Sequence, residues 1–420
     1  MRVIWTPEKA EENNKEGRRP DFEFMGKFCN YVTERGIYVN EERANHYISD
    51  LESQMLTIKN VLAEYGHADL NPNSPVQVSE YFFNNYSEEL LKKYFYVYNA
   101  RKREMSYSFG RDLVLEFNKF AHDPIAKSIT SYTSVGRRIT TLKKLLHFQD
   151  KHNLVHPSYE PAVTNRVYSK EPYIEDFDIE TYKGLFTPEG WGIIELDYRQ
   201  IEPRLATYIF EISEFLKFTH SEDFYTTAAS QILGLDALSV EQRDEFKACW
   251  NAVTYGASRG KISKMAKNID GNSVYDIFYN NETVQETWRI LDKYRDAEVY
   301  TMFDTPLLEE NRRNYYSNNR VKVAWIVQGS AADVLALAVE DVYLALQEKG
   351  YEGYDIINAG YYNFKSPIQV YYTSHDAIRF IYNKSVFSEL EINRLVEELR
   401  SEITYYINED ILLPLKISQL

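Results

Sequence analysis

Cysteine is scarce in this sequence: Cys29 and Cys249 are the only two among 420 residues. Two isolated thiols give neither a disulfide framework nor a thiolate zinc pattern, so a cystine-stapled secreted domain is excluded and a reducing cytoplasm is the expected location. Basic residues are also in deficit, 48 against 63 acids, for a net charge of −15. Taken alone, that balance argues against a nucleic-acid protein. A backbone-binding cleft needs only local positive potential, and bound metal ions offset the carboxylates that hold them, so DNA is not excluded. No run approaches the roughly 20 apolar residues of a transmembrane span, and no membrane partner is expected. After Met1-Arg2-Val3-Ile4-Trp5 the chain turns charged, without the apolar core of a signal peptide.

Apolar residues and rings are plentiful. The chain is 44% apolar and carries 35 Tyr and 22 Phe, enough for a globular protein of two or three subdomains. Residues 1 to about 20 are charged and include Gly17 and Pro20, which reads as an arm. From Asp21 to about Gln149 the pattern is mostly helical, with long periodic runs over Glu41–Tyr65 and Ser87–Ala100. Ser74 and Pro75 supply a cap and a first helical position. The basic clusters Arg101-Lys102-Arg103, Arg137-Arg138 and Lys143-Lys144 either grip duplex phosphates or are solvated helix faces. His156–Asp176 shows little regular pattern.

The chemistry centres on a short apolar run, Gly192–Leu196, which reads as a buried strand ending on Asp197 before a helical pattern resumes through Ile201, Leu205 and Ala206. A lone aspartate at such a place is more often solvated or capping a backbone group. A second carboxylate facing it changes the balance, because two together hold hard divalent cations, and a metal pair about 4 Å apart serves phosphoryl transfer. Asp376 is the partner we select. Two β-rich runs flank Ser374-His375-Asp376, which predicts a hairpin with His375 and Asp376 at its bend. Between the aspartates, a helix is predicted over Val240–Ser258. On it Arg243, Lys247, Asn251 and Tyr255 recur every four residues and form one slowly winding stripe. Two cations followed by an aromatic suit a triphosphate tail with a base beyond it.

At these residues the chain resembles the family A DNA polymerases, the group that includes bacterial DNA polymerase I and many phage replicases. Asp197-Tyr198-Arg199-Gln200-Ile201-Glu202-Pro203-Arg204 is similar to motif A, and His375-Asp376 to motif C. Arg243, Lys247, Tyr255 and Gly256 keep the spacing of motif B. Gln328-Gly329-Ser330-Ala331-Ala332-Asp333, read as opening a helix, matches a further family segment, with Arg320 at the family's spacing before it. Thr164–Pro172 resembles the stretch leading into the palm, with Arg166 and Ser169 in place and Asn165 where the family has Gly. Leu412–Ile417 reads as a last palm strand. The departures are Asn251 for an aromatic, Tyr225 for a His, Ala324 for an Asn, Glu175 and Asp176 for amides, and Ala377 for the Glu after the motif C aspartate.

The resemblance implies an α+β right-hand polymerase: a palm with an antiparallel sheet, helical fingers and a helical thumb. Its segments would be 1–20 (arm), 21–155 (thumb), 156–210 (first palm segment, motif A), 211–315 (fingers, motif B) and 316–420 (second palm segment, motif C). It implies template-directed DNA synthesis on primer-template DNA with deoxynucleoside triphosphates. Two Mg²⁺ ions, with Mn²⁺ as a substitute, would sit on Asp197, Asp376 and the Tyr198 carbonyl. Glu202 would select deoxyribose, Arg243 and Lys247 would clamp the triphosphate, and Tyr255 would stack beside the template base. Arg166, Arg204, Gln328 and His375 would contact the DNA. The few residues before the thumb imply no 3′→5′ exonuclease in this chain, so that a separate exonuclease or other replication proteins become expected partners. An RNA-synthesising or primase-like relative and a non-catalytic DNA-binding replisome protein are the alternatives.

Overall fold

The computed structural model describes residues 20–99, 103–162, 164–177, 181–293, 299–303, 305–307, 321–351, 366–404 and 412–419. Its strands in chain order are β1 (Ile37–Tyr38), β2 (Tyr96–Asn99), β3 (Glu104–Tyr107), β4 (Leu154–Val155), β5 (Ser158–Pro161), β6 (Val167–Lys170), β7 (Trp191–Tyr198), β8 (Ile368–Ser374), β9 (Ala377–Asn383) and β10 (Leu415–Gln419). The chain divides into two compact units, Val39–Asn153 and Met1–Tyr38 with Leu154–Leu420.

In the unit Val39–Asn153, two helices of 24 residues, Glu41–Glu64 and Pro124–His147, pack on each other. Asp123 starts the second. One of its oxygens caps Ile125 N at 2.8 Å, and the other accepts the hydroxyls of Tyr81 and Tyr86, each at 2.7 Å. Ser74 caps the helix Pro75–Asn85 as its sequence predicts. Phe82 sits amid Phe95, Phe109 and Phe117 with ring centroids 5.0–5.5 Å apart, so much of this unit's aromatic excess is core. The helical run predicted over Ser87–Ala100 is corrected. Helix holds only for Glu88–Phe95, after which Tyr96–Asn99 turns into β2 and pairs antiparallel with β3. Alternating Tyr-Val-Tyr favours a pleated strand once a partner is available.

The other unit is built on a four-stranded antiparallel sheet in the order β10-β7-β9-β8. Every residue of β8 and most of β7 are buried, as expected for apolar strands covered on both faces. Arg35, at the end of the helix Phe22–Arg35, donates to the carbonyls of Val370 and Tyr371 and so fastens that helix to β8. The helix Val321–Glu348 packs against β8 and β9. By length and composition it could cross a membrane, which corrects the expectation that no run comes near that size. Most of it is buried inside the protein, so its apolarity serves the core.

Further corrections concern boundaries. His156–Asp176 contains the paired strands β5 and β6. Gln328–Asp333 lies inside the helix Val321–Glu348 and does not open it. Gly329 is needed there, since a Cβ would fall 2.7 Å from Leu307 and 2.9 Å from Thr301 on the adjoining segment. The motif B helix ends at Thr254, short of the predicted Ser258, because Gly256 takes a φ of 77° and returns its N–H to Val253 O. The last strand is Leu415–Gln419, three residues beyond the predicted start. Arg320 lies outside the described residues.

Candidate active site

Strand β7 runs buried as far as Leu196 and delivers Asp197 between Lys416 of β10 and Ala377 of β9. Ser374 and Ala377 pair across a two-residue turn, so His375 and Asp376 form the tip of the β8–β9 hairpin. His375 has a φ of 54°, the sign that two-residue hairpin turns require of their first central residue. The turn is tied to the neighbouring strand by Tyr198 N–H, which donates to Asp376 O at 3.2 Å. This brings the two predicted aspartates to one end of the sheet. Burial raises the Asp197 carboxyl to about 6, helped by the charges of Glu195 and Asp376. Burial raises Asp376 as well, against the pull of Arg166.

Arg166 holds this corner together. Its Nη2 lies 2.7 Å from Glu202 Oε1 and 3.0 Å from Asp376 Oδ1, with all three side chains about three-quarters buried. Burial alone would weaken the guanidinium's charge; Asp376 and Glu202 more than offset it and raise the pKa. Its Nε is buried without a hydrogen-bond partner among the described residues. Asn165, where the family has glycine, has a φ of 59°. Asn is among the few residues that tolerate that left-handed conformation, so the loop keeps the shape that presents Arg166.

Glu202 sits in the first turn of the helix Ile201–Ile209, and its second oxygen accepts the Tyr255 hydroxyl. Gln328 Nε2 in turn donates to Tyr255 Oη at 3.4 Å. Gln328, Tyr255, Glu202, Arg166 and Asp376 thus form one connected polar chain, gathered from five separated stretches of sequence. His375 is exposed and lines a crevice shared with Asn165, Arg166 and Thr373. The Tyr198 side chain is buried, with its hydroxyl on Ile403 O at 2.8 Å, so only its backbone carbonyl is left to serve a cation.

The motif B stripe lies on the helix Val240–Thr254, with Tyr255 as its terminal cap. Arg243 is held bidentately by Asp223, Nε to Oδ2 at 2.7 Å and Nη2 to Oδ1 at 3.2 Å. Although burial works to raise Asp223, donors from Arg243, Gln200 and Thr226 hold it far below the usual carboxylate range. Lys247 is exposed, with Nζ 5.7 Å from the Tyr225 ring, and Arg243 lies 5.9 Å from the same ring. Two departures from the family pattern meet here: Tyr225 Oη donates to Asn251 Oδ1 at 3.0 Å. An aromatic at one position and an amide at the other act as a bonded pair.

Arg204 is corrected. The family resemblance assigns it to DNA, yet it is 0% exposed and donates to the carbonyls of Arg199, Thr219 and Ser221. With no surface to offer a duplex, it braces the chain entering and leaving the helix Ile201–Ile209. Sequence reasoning passed over Asp223, the anchor of Arg243, and the buried pair Glu195–Arg379, Oε2 to Nε at 2.7 Å, two residues behind the aspartate end of the sheet. A signal existed for the pair: one acid and one base, each isolated in an apolar strand. Asp223 carried the weaker signal of an acid just before a helical run.

For a divalent cation the donors fit. Asp197 and Asp376 offer hard oxygens, and the repulsion and burial that raise Asp197 are what a cation relieves. Among the described residues no group of three or more His, Cys, Asp or Glu is arranged to hold a metal, so substrate oxygens and water must complete any coordination shell.

An antiparallel sheet carrying two aspartates at one end, flanked by helices that present a cationic stripe, is the α+β palm-and-fingers architecture of the right-hand polymerases. Comparison with known proteins agrees. The model of DNA polymerase family A matches residues 41–418. DNA polymerase I of Caldicellulosiruptor bescii is 24% identical over 398 residues, covering 88% of this chain and 45% of that protein. DNA polymerase I of Geobacillus stearothermophilus is 26% identical over 345 residues, covering 75% and 37%. The POL domain of Pol1 from M. smegmatis, solved in complex with DNA primer-template and dNTP, matches with a TM-score of 0.73 at 20% identity, covering 98% of this chain and 71% of that one. This chain belongs to DNA polymerase family A. It spans less than half the length of these two curated relatives.

Proposed function

We propose that this chain carries out template-directed DNA synthesis, adding deoxynucleotides to a primer 3′-hydroxyl without proofreading. The observation that carries the proposal is the meeting of Asp197 and Asp376 at one end of the sheet, joined through Tyr198 N–H to Asp376 O at 3.2 Å. In the reaction the 3′-oxygen bonds to the α-phosphorus, the α–β phosphoanhydride breaks, and pyrophosphate leaves. Asp197, Asp376 and the Tyr198 carbonyl would hold two divalent cations, Mg²⁺ or Mn²⁺, which when bound would acidify the primer hydroxyl, its proton passing to water, and offset the charge on the leaving pyrophosphate.

The chain's own residues do the remaining work. Lys247 and Arg243, the latter exchanging Asp223 for phosphate, bind the triphosphate. Glu202, fixed between Arg166 and Tyr255, excludes a ribose 2′-hydroxyl and so selects deoxynucleotides. Gln328 and Arg166 donate to the minor-groove acceptors that every base pair presents in similar places. His375, at the exposed hairpin tip, supports the primer end. Release of Tyr255 from Glu202 lets its ring stack on the template side.

Primer extension by the purified chain with Mg²⁺ and deoxynucleotides tests the proposal. Asp376→Asn is expected to abolish extension while leaving primer-template affinity nearly intact; unchanged extension overturns the assignment. The same preparation without nucleotides is expected to leave the primer 3′ end intact. Removal of misinserted nucleotides would then fall to a separate exonuclease.

A further inference from the structure

The β2–β3 hairpin carries an aromatic face that packs on the core of its unit at Tyr107 and is left exposed towards Tyr98. Tyr96 is directly opposite Tyr107, and Tyr98 opposite Met105, so the four side chains share one face of the two-stranded sheet. Below them, Phe109 inserts into the core against Phe82 and Phe95, with centroids 5.1 and 4.7 Å away, and fastens the hairpin to its unit. Above that anchor Tyr107 is half-buried, whereas Tyr96 is 39% exposed, Tyr98 62% and Met105 46%. Phe83, 46% exposed, packs edge-on against Tyr107 at 5.0 Å and extends the patch. A cluster of large exposed apolar side chains marks an interaction surface.

Its charge indicates what it meets. In a chain of net charge −15, the stretch Leu90–Arg111 carries six basic residues and a single acid, Glu104. Lys92, which pairs with Glu88 at 2.7 Å and would exchange it for a phosphate, lies near Tyr96 and Tyr107, and exposed Arg103 opens into β3. Rings with cations at their edge fit a ligand that has both flat apolar faces and regular negative charge. Unpaired nucleotides have both, whereas a duplex buries its base faces in its own stack.

We propose that the face formed by Tyr96, Tyr98, Met105 and Tyr107 is a stacking platform for single-stranded nucleic acid, with Lys92 and Arg103 reaching its phosphates. It shares no residue with the carboxylate site, and binding there does not depend on polymerisation.

The ordinary alternative is that these rings only stabilise the hairpin as cross-strand pairs. Tyr98→Thr separates the two, since threonine keeps the strand propensity and removes the ring. Affinity is read by fluorescence anisotropy with the full chain and a labelled oligothymidylate of roughly 12 nucleotides. A blunt duplex of equal length is the comparison, and thermal melting checks the fold. Tyr98→Thr is expected to bind the single strand about tenfold more weakly, about 1.4 kcal/mol, with duplex affinity and melting unchanged; Tyr98→Phe is expected to retain affinity. An oligomer carrying 5-iodouracil should crosslink under ultraviolet light to the peptide containing Tyr96 and Tyr98. Unchanged single-strand affinity in Tyr98→Thr, an equal loss on both ligands, or crosslinks confined to other peptides overturns the proposal.

Discussion

Arg166→Met is expected to destabilise the metal-free protein while tightening its grip on divalent cations. Nη2 of Arg166 lies 3.0 Å from Asp376 Oδ1 and 2.7 Å from Glu202 Oε1, in a corner where the side chains are 20–25% exposed. At an effective dielectric near 20, a contact of this length contributes roughly 5–6 kcal/mol of attraction before desolvation. Stranding the buried partners by truncating the arginine costs about 3–5 kcal/mol. The guanidinium therefore stands in for a cation at Asp376, and an incoming ion has to displace it. Removing that competitor should tighten Mg²⁺ or Mn²⁺ binding by about ten- to a hundredfold, the equivalent of ~1–3 kcal/mol. Calorimetric titration without DNA, paired with thermal melting without metal, reads both effects. The titration belongs at about pH 8, well above the value of about 6 for Asp197. Near pH 6 the gain should shrink, because Asp376, raised by burial and no longer lowered by Arg166, keeps its proton more readily. Cation affinity that is unchanged or weaker at pH 8 would refute the stand-in role.

Three further outcomes follow from the same geometry. Arg204→Met, which strands the carbonyls of Arg199, Thr219 and Ser221, is expected to lower the unfolding free energy by about 3–5 kcal/mol in denaturant titrations. DNA affinity should be preserved wherever that variant is folded, and a selective loss of DNA binding would restore a direct role. Asp333 is fully buried and raised by that burial from 3.8 to about 7, so its contribution to stability is complete below about pH 4 and lost as pH rises through 7. The span is on the order of 4 kcal/mol, and Asp333→Asn should flatten the urea midpoint between pH 5 and 8; a variant as pH-dependent as the parent counts against the shift. Glu202→Ala should raise ribonucleotide incorporation relative to deoxynucleotides by about ten- to a hundredfold, the ~1–3 kcal/mol that one steric contact discriminates. Single-nucleotide insertion kinetics would show it, and an unaltered ratio would remove Glu202 from sugar selection.

Local chemistry was legible in the linear order of residues. An apolar run ending in Asp197, a polar triplet between two β-rich runs, Ser74-Pro75 as a helix start and a four-residue spacing from Arg243 to Tyr255 are all near-neighbour patterns. The structure bears out the strand, the hairpin, the cap and most of the helix, because backbone geometry over a few residues decides them. Where a distant partner competes, such patterns fail. Tyr96–Asn99 continues a helical periodicity, yet becomes a strand because β3 pairs with it. The helix Val321–Glu348 has a membrane span's composition but spends it on the core.

The linear order of residues establishes which groups this protein owns: one aspartate at the end of a buried strand, another in a hairpin bend, and a cationic stripe on one helix. Only tertiary structure decided which of them meet. Arg166 bridging Glu202 and Asp376, Tyr225 bonded to Asn251, Asp223 holding Arg243 and the sealing of Arg204 each join residues 15 to 210 positions apart. Side-chain direction and burial arise only once the strands are in register and the helices are packed. The free energy of a charge depends on those two quantities more than on its neighbours in the chain.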